Sequence, residues 1–347
     1  MRHGGDVYNN SIDIDYSVNL NPKECPEVIG EAIREGLTHI GEYPDLYQRE
    51  LRACLAKLEN VTENQVYGGN GASELLMATI MSVRPKKALL VAPGFYGYEH
   101  CLHASDCNEI VTYLLKEELD YALDDEFVDW ITEDIDIIIL ADPMNPSGKN
   151  IPEDLLRMIL NRAREVNASV VIDESFYCLS KKCLDKDNHV ATFINNYSNI
   201  YIIRSFTKLF SVPGIRAGYI ISNEDLISEV IRYLPEWNVS GIAEKVMETG
   251  TKVLQTEFCR ESIELIEEQK NRLMQAFTKC GFKVYASDTL FFLVRGNTSL
   301  YKRLLEKGIM IRTCDDYNNL DNAVFRIAVK DAKSNSRLME ILSELEL

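Results

Sequence analysis

A lysine lies between a serine and an arginine in a loop that joins two short apolar runs. Lys208 follows Ser205 by three positions and precedes Arg216 by eight, and residues 199–203 and 219–222 are typical of buried strands. Side chains in such a loop converge on a site. A lysine amine forms a Schiff base with an aldehyde once burial or neighbouring cations lower its pKa. The serine and the arginine can donate hydrogen bonds to a phosphate, so the loop predicts a site for pyridoxal phosphate, which carries both groups.

A glycine-rich segment earlier in the chain is a candidate phosphate site. Gly71 and Ala72 end this segment, and Ser73 with Glu74 opens an apolar helical pattern that runs to about Val83. A helix N-terminus that follows small residues offers unpaired N–H groups and the positive end of the helix dipole to an anion. The alternative is an ordinary glycine turn with a helix cap.

Two further polar side chains follow apolar runs. Asn145 lies in a turn after residues 137–141, and Asp173 follows residues 170–172. Ligands of open α/β sheets bind at the carboxyl ends of the strands. Asn145 could donate to the ring oxygen of the cofactor, or form only an Asx turn before Pro146. An ionised Asp173 could keep the pyridine nitrogen protonated, which makes the ring an electron sink, or it could cap a helix.

The order and spacing of these four segments resemble those of the fold-type-I pyridoxal-phosphate enzymes, the superfamily of the aspartate aminotransferases. The resemblance implies that Lys208 binds the cofactor covalently and shuttles protons, that Asp173 pairs with the pyridine nitrogen and that Asn145 contacts the ring oxygen. It implies that the cofactor phosphate is held by a set of small or basic residues: Gly71, Ala72, Ser73, Ser205 and Arg216. Phe95, after the predicted strand 88–92, would stack on the pyridine ring, with core packing as the alternative.

Four further motifs narrow this resemblance to one branch of the superfamily. The sequences His-Gly-Gly, Pro-Gly-Phe, Asp-Glu-Ser-Phe and Ile-Arg-x-Cys stand at residues 3–5, 93–95, 173–176 and 311–314. They are similar to the branch that holds threonine-phosphate decarboxylases and histidinol-phosphate aminotransferases, and more similar to the decarboxylases.

Membership of this branch would assign substrate-binding residues and a partner. Arg326 would bind the substrate α-carboxylate through a bidentate fork. Arg312 and His3 would lie near the phosphate of a small anionic amino-acid phosphate, unless Arg312 is a surface strand residue and His3 belongs to a frayed terminus. Tyr43 would reach the cofactor phosphate of the neighbouring subunit in a homodimer.

The periodicity of the chain predicts an α/β fold. Strand and helix patterns alternate over residues 66–222, which indicates a mostly parallel sheet with helices on both faces. A long amphipathic helical pattern covers residues 241–280. Further strands of a smaller α+β domain are predicted at 282–286, 289–295, 310–313 and 325–329. The resemblance implies an aspartate-aminotransferase-like large domain at residues 40–240 and a discontinuous small domain at 1–39 and 241–347, with the active site in the cleft between them.

Composition excludes several classes of function. The 37 basic and 54 acidic residues give a net charge of −17, which would repel nucleic acid. Neither a membrane-spanning apolar run nor a signal peptide is present, and nine cysteines without paired spacing are typical of reduced thiols in a cytoplasmic protein. No metal site is expected, because the cluster His100, Cys101, His103 and Cys107 fits no structural zinc spacing.

These observations lead to one preferred function and two alternatives. The preferred function is decarboxylation of O-phospho-L-threonine or O-phospho-L-serine to an amino-alcohol phosphate. The first alternative is an aminotransferase that acts on a substrate such as histidinol phosphate with glutamate and 2-oxoglutarate. The second is a binding-only domain of a transcription factor, which the acidic charge and the lack of spare residues for a DNA-binding domain disfavour. Residues 315–319 carry more acid than an anionic substrate would favour.

Overall fold

A computed structural model describes residues 4–8, 11–184 and 190–345. Its strands are β1 (Ile14–Asp15), β2 (Val66–Asn70), β3 (Lys87–Ala92), β4 (Glu109–Leu114), β5 (Ile137–Ala141), β6 (Ser169–Asp173), β7 (Ile200–Ser205), β8 (Ala217–Ser222), β9 (Lys283–Val284), β10 (Phe291–Arg295), β11 (Ile309–Met310), β12 (Arg312–Thr313) and β13 (Val324–Ala328). Its α-helices are α1 (Glu27–Thr38), α2 (Arg49–Glu59), α3 (Ala72–Val83), α4 (Gly97–Ala104), α5 (Glu153–Glu165), α6 (Phe206–Leu209), α7 (Glu224–Ile231), α8 (Gly241–Val253), α9 (Phe258–Lys279), α10 (Leu300–Leu305) and α11 (Ala332–Glu344). Within these described ranges, no helix is long and apolar enough to cross a membrane.

Seven strands form one large sheet in the order β2-β8-β7-β6-β5-β3-β4. Its strands are parallel except β8, which is antiparallel to both β2 and β7. Alternate residues of β5 belong to different hydrophobic clusters: Ile138 and Leu140 to one, Ile137 and Ile139 to the other. Both faces of the sheet are therefore covered, which explains why its strands are continuous apolar runs. The predicted α/β class with a mostly parallel sheet is confirmed.

Two smaller sheets form beside the large one. The antiparallel order β12-β13-β10-β9 makes the first, and β1 pairs in parallel with β11 to make the second. The pairing of Ile14 with Ile309 joins the N-terminal segment to the C-terminal part of the chain. The proposed domain boundaries at residues 39/40 and 240/241 stay a prediction.

The helical pattern over residues 241–280 is two helices, α8 and α9, rather than one. In the turn between them the hydroxyl of Thr256 donates to the carbonyl of Val253 at 2.7 Å, and successive backbone bonds are of the tighter i→i+3 type. Such a side-chain bond competes with the helical hydrogen-bond pattern. The predicted strand at 310–313 is also divided, because β11 pairs with β1 whereas β12 pairs with β13.

Candidate active site

The carboxyl ends of β5, β6 and β7 face a cavity of about 370 Å³, a volume typical of small-molecule sites. Residues of the large sheet, the small antiparallel sheet and the N-terminal segment line it together. Of the residues predicted from sequence, the cavity walls include Ala72, Ser73, Phe95, Asn145, Asp173, Ser205, Lys208, Arg216, Arg312 and Arg326.

Lys208 lies on α6, a helix of one turn directly after β7. Ser205 caps this helix by accepting a hydrogen bond from the backbone N–H of Thr207 at 3.2 Å. The N-terminal segment fixes the other side, since the backbone N–H of Asn21 donates to the Lys208 carbonyl at 3.0 Å. Burial lowers the pKa of the Lys208 amine, the charges of Arg326 and Arg216 lower it further, and Asp173 opposes them. The site thus favours the neutral, nucleophilic form of the amine.

An anion cradle forms where the start of α3 meets Arg216. Gly71 has a φ of +78°, and a Cβ atom there would lie 2.6 Å from Nη2 of Arg216. Only glycine therefore allows the guanidinium to approach the helix N-terminus so closely. Ala72 and Ser73, the first residues of α3, contribute backbone N–H groups to the same wall. A helix N-terminus beside a guanidinium is suited to bind a phosphate.

Asp173 is held at the end of β6 by two residues that the sequence did not point to. Its Oδ2 accepts a hydrogen bond from the hydroxyl of Tyr98 at 2.9 Å, and its Oδ1 accepts from the N–H and the hydroxyl of Ser175 at 3.0 and 2.6 Å. Tyr98 follows Phe95 by three positions, and the two rings pack edge to face with centroids 5.4 Å apart. Three donors therefore fix the orientation of the carboxylate. The i, i+3 spacing of Phe95 and Tyr98 was the sequence feature that could have indicated Tyr98 as a site residue.

Arg326 is buried on β13 and faces the cavity. Its Nη1 donates to Oδ1 of Asn145 and its Nη2 to the carbonyl of Ser17, both at 2.6 Å. Two buried polar atoms at this place have no hydrogen-bond partner among the described residues, Nε of Arg326 and Oδ1 of Asn19. Buried polar groups are almost always paired, so a ligand is the expected partner. Because the oxygen of Asn145 accepts from Arg326, its amide nitrogen is the atom that can donate to a ligand.

Three predicted site residues need a separate account. Arg312 lines the cavity but already binds a carboxylate, because its Nη2 donates to both oxygens of Asp316. Tyr43 is 80% exposed in the single chain, where its ring lies 4.7 Å from the ring of Trp237. His3 lies outside the described residues.

A buried ionic network supports the strand ends behind the cavity. Arg204 donates to Glu174 at 2.6 Å and to Glu59 at 2.8 Å, and Tyr219 donates to Glu59 at 2.5 Å. Burial raises the pKa of Glu174, and the charge of Arg204 opposes this effect. Since Arg204 precedes Ser205 and Glu174 follows Asp173, the network fixes two residues of the cavity wall in relation to each other.

These features fit pyridoxal phosphate. The cavity supplies a buried amine with a lowered pKa, an anion cradle, a fixed carboxylate and unpaired polar atoms. When bound, the cofactor supplies an electron sink for a substrate amine. Lys208 would hold it covalently, Asp173 would face its pyridine nitrogen, and Arg216 with the start of α3 would hold its phosphate.

The chain belongs to the aminotransferase class I and II family, whose family model matches residues 11–343. It is a pyridoxal-phosphate enzyme, as proteins of this family are, so the predicted cofactor and enzyme class are confirmed.

The relatives of this chain are named for two different activities, decarboxylation and transamination. The chain is 30% identical to the threonine-phosphate decarboxylase of Salmonella typhimurium over 95% of its own length and 90% of the relative. It is 29% identical to the histidinol-phosphate aminotransferase of Methanosphaera stadtmanae, over 94% of this chain and 89% of that one. The crystal structure of the histidinol-phosphate aminotransferase from Clostridium acetobutylicum superposes with a TM-score of 0.87 at 30% identity, covering 95% of this chain and 98% of that chain. The predicted resemblance is confirmed.

Proposed function

We propose that this protein decarboxylates an O-phosphorylated amino acid, O-phospho-L-threonine or O-phospho-L-serine, to an amino-alcohol phosphate and CO2. The observation that carries the proposal is the presence of two buried arginines, Arg326 and Arg312, on the cavity that contains Lys208. A substrate with a carboxylate at one end and an acidic group at the other matches two such cations. Similarity to the decarboxylase of Salmonella typhimurium supports the same substrate class.

Each residue has a defined task in this reaction. Arg326 binds the α-carboxylate with its planar fork, held in place by Asn145 and the Ser17 carbonyl. The bond between the α-carbon and the carboxylate breaks, CO2 leaves, and a proton takes its place on the α-carbon. The amine of Lys208, with its lowered pKa, is suited to deliver that proton. Asp173, fixed by Tyr98 and Ser175, is oriented to face the pyridine nitrogen of the cofactor.

A second candidate function is transamination of a phosphorylated substrate such as histidinol phosphate. The structural similarity to the histidinol-phosphate aminotransferase of Clostridium acetobutylicum favours it. The two candidates differ in which bond of the α-carbon breaks, because a transaminase removes the α-proton, and histidinol phosphate has no carboxylate to lose.

Product analysis separates the two candidates. The holoenzyme is incubated with O-phospho-L-threonine, O-phospho-L-serine or histidinol phosphate, each with and without 2-oxoglutarate, and the products are identified by mass spectrometry. We expect an amino-alcohol phosphate that forms without any keto acid. Glutamate that appears only with 2-oxoglutarate would instead establish transamination. L-Threonine serves as the matched substrate without a phosphate, and we expect little product from it.

We also infer that the protein acts as a homodimer in which Tyr43 contacts the cofactor phosphate of the neighbouring subunit. Tyr43 is exposed in the single chain, and other exposed apolar side chains lie near it in sequence: Val28, Leu37, Ile40 and Tyr47. Trp237, whose ring packs on Tyr43, is also exposed. Such a concentration of exposed apolar side chains is typical of a protein–protein interface.

A further inference from the structure

Arg312 and Asp316 form an ion pair on the wall of the cavity. Nη2 of Arg312 donates to both carboxylate oxygens of Asp316, at 2.8 and 3.0 Å. Nη1 of Arg312 donates to the carbonyl of Thr313 at 2.6 Å, which orients the guanidinium. Both side chains line the cavity, and Arg312 is only 7% exposed. The arginine expected near the substrate phosphate thus already has a negative partner.

Among the described residues, the charges of Arg312 and Asp316 mainly offset each other. Tyr317 and Cys314 are buried neighbours of this pair, and burial raises the pKa of Tyr317 and raises that of Cys314 to about 12, so both stay neutral near pH 7. Arg326 faces the same region, but the α-carboxylate of the substrate would occupy it. Glu99 is another acidic residue in the described lining of the cavity.

The other charged groups of the cavity would be engaged by the cofactor. Lys208 would hold the cofactor and serve the α-carbon of the substrate, Arg216 would meet the cofactor phosphate and Asp173 its ring nitrogen. A group at the far end of the substrate would therefore meet Arg312, whose charge is already offset. It would also lie within reach of the Asp316 carboxylate. A dianion would have to displace Asp316 from the guanidinium or lie beside it, and both arrangements are unfavourable in a partly buried site.

We propose that Asp316 is a specificity-determining residue that restricts the distal end of the substrate to groups with at most one negative charge. This inference rests on the proposed function, because it defines a part of the same cavity. A phosphate that keeps one proton meets the requirement, since it can accept from Arg312 and donate its proton to Asp316. A dianionic phosphate cannot donate, and Asp316 repels it.

The test compares two stable analogues of one shape and different charge. The phosphonate analogue of O-phospho-L-serine is a dianion at about pH 8.5, whereas L-homocysteate, a sulfonate of the same chain length, is a monoanion at its far end. Dissociation constants are measured from the change in cofactor absorbance of the holoenzyme directly after mixing. We expect the wild-type protein to bind the sulfonate about tenfold more tightly than the phosphonate.

The variant Asp316→Asn keeps the shape of the side chain and removes its charge. We expect it to bind the phosphonate about tenfold more tightly than the wild type, with sulfonate affinity changed by less than about threefold. The matched control is Asp315→Asn, which removes the same charge from the adjacent residue, outside the cavity lining. We expect this control to match the wild type with both ligands.

The possible outcomes separate this inference from the proposed function. If wild type and Asp316→Asn bind both analogues equally, or if the variant loses affinity for both, Asp316 only positions Arg312 and the inference is overturned while the proposed function stands. If neither analogue binds either protein although the cofactor is bound, the proposed substrate class is wrong and this inference is overturned as well.

Discussion

Burial, two guanidinium groups and one carboxylate together set the pKa of the Lys208 amine. Burial and the positive charges of Arg326 and Arg216 disfavour the protonated amine, so its pKa is below the usual value for lysine. The amine is therefore neutral, and able to capture the aldehyde of the cofactor, at a lower pH than an exposed lysine. Two predictions belong to this residue.

Replacement of Arg326 by glutamine removes a positive charge beside the amine. The protonated form is then less disfavoured, so the pKa of Lys208 rises and capture of pyridoxal phosphate by the apoprotein requires a higher pH. We expect the midpoint of the capture rate against pH to rise, as followed by the absorbance of the bound cofactor. Arg337→Gln, at an exposed arginine paired with Asp13, is the control and should leave the midpoint unchanged. An unchanged midpoint in Arg326→Gln would contradict this account of the pKa.

Replacement of Lys208 by alanine removes both the covalent attachment of the cofactor and the proton donor. We expect the absorbance of covalently bound cofactor to disappear and turnover to fall by at least about 1,000-fold. The far-ultraviolet circular dichroism should be unchanged. Lys279→Ala, at an exposed lysine in the last turn of α9, should retain both absorbance and turnover. Turnover at the wild-type rate in Lys208→Ala would show that this lysine is not catalytic.

Helices α1 and α8 pack closely because Gly36 has no side chain. A Cβ atom at Gly36 would lie 2.8 Å from Cα of Ile242, whereas one at Gly30, on the same helix, would meet only Nη1 of Arg34 at 3.6 Å. We expect Gly36→Ala to lower the free energy of unfolding by roughly 1–3 kcal/mol, because backbone must move. Gly30→Ala, the matched control, should raise it by about 0.5–1 kcal/mol through helix propensity. Urea denaturation of the two variants measures both effects, and equal changes would contradict the close packing.

The elements that position the site differ in how well the sequence predicted them. The strands before Asn145, Asp173 and Lys208 were predictable because each is a short apolar run that ends in a polar residue at a fixed place. The break between α8 and α9 was not, since the amphipathic pattern continues through the turn between Val253 and Phe258.

Contacts between side chains that lie far apart in the sequence could not be predicted from it either. Tyr98 reaches Asp173 across 75 positions of the chain, and Arg326 reaches Asn145 across 181. The pairing of Arg312 with Asp316 is local, but periodicity does not tell whether an acidic residue four positions away turns toward an arginine or toward solvent.

The charge of the whole molecule contrasts with the charge of its cavity. The chain carries a net charge of −17, yet Lys208, Arg216, Arg312 and Arg326 meet on one cavity. The general field of the protein therefore repels an anionic substrate, and the cationic groups of the cavity must supply the attraction at short range. The same acidity opposes self-association, so a homodimer would need an apolar surface that offsets it.

The exposed apolar side chains near Tyr43 are the surface that we propose for this role. Ile40→Asp places a charge among them, which a buried interface would not tolerate. We expect analytical ultracentrifugation to find a dimer for the wild type and a predominantly monomeric Ile40→Asp. Met158→Asp, at an exposed methionine on α5, is the matched control and should remain dimeric.

A milder change tests whether the interface also completes the cofactor site. Tyr43→Phe keeps the ring and removes only the hydroxyl, so we expect the dimer to persist while the affinity for pyridoxal phosphate falls by about 3- to 30-fold, the effect of one lost hydrogen bond to an anion. The affinity is measured by equilibrium titration of the apoprotein. A Tyr43→Phe variant that binds the cofactor like the wild type would show that Tyr43 does not reach the neighbouring site. If Ile40→Asp remained as dimeric as the wild type, the surface itself would be the wrong one.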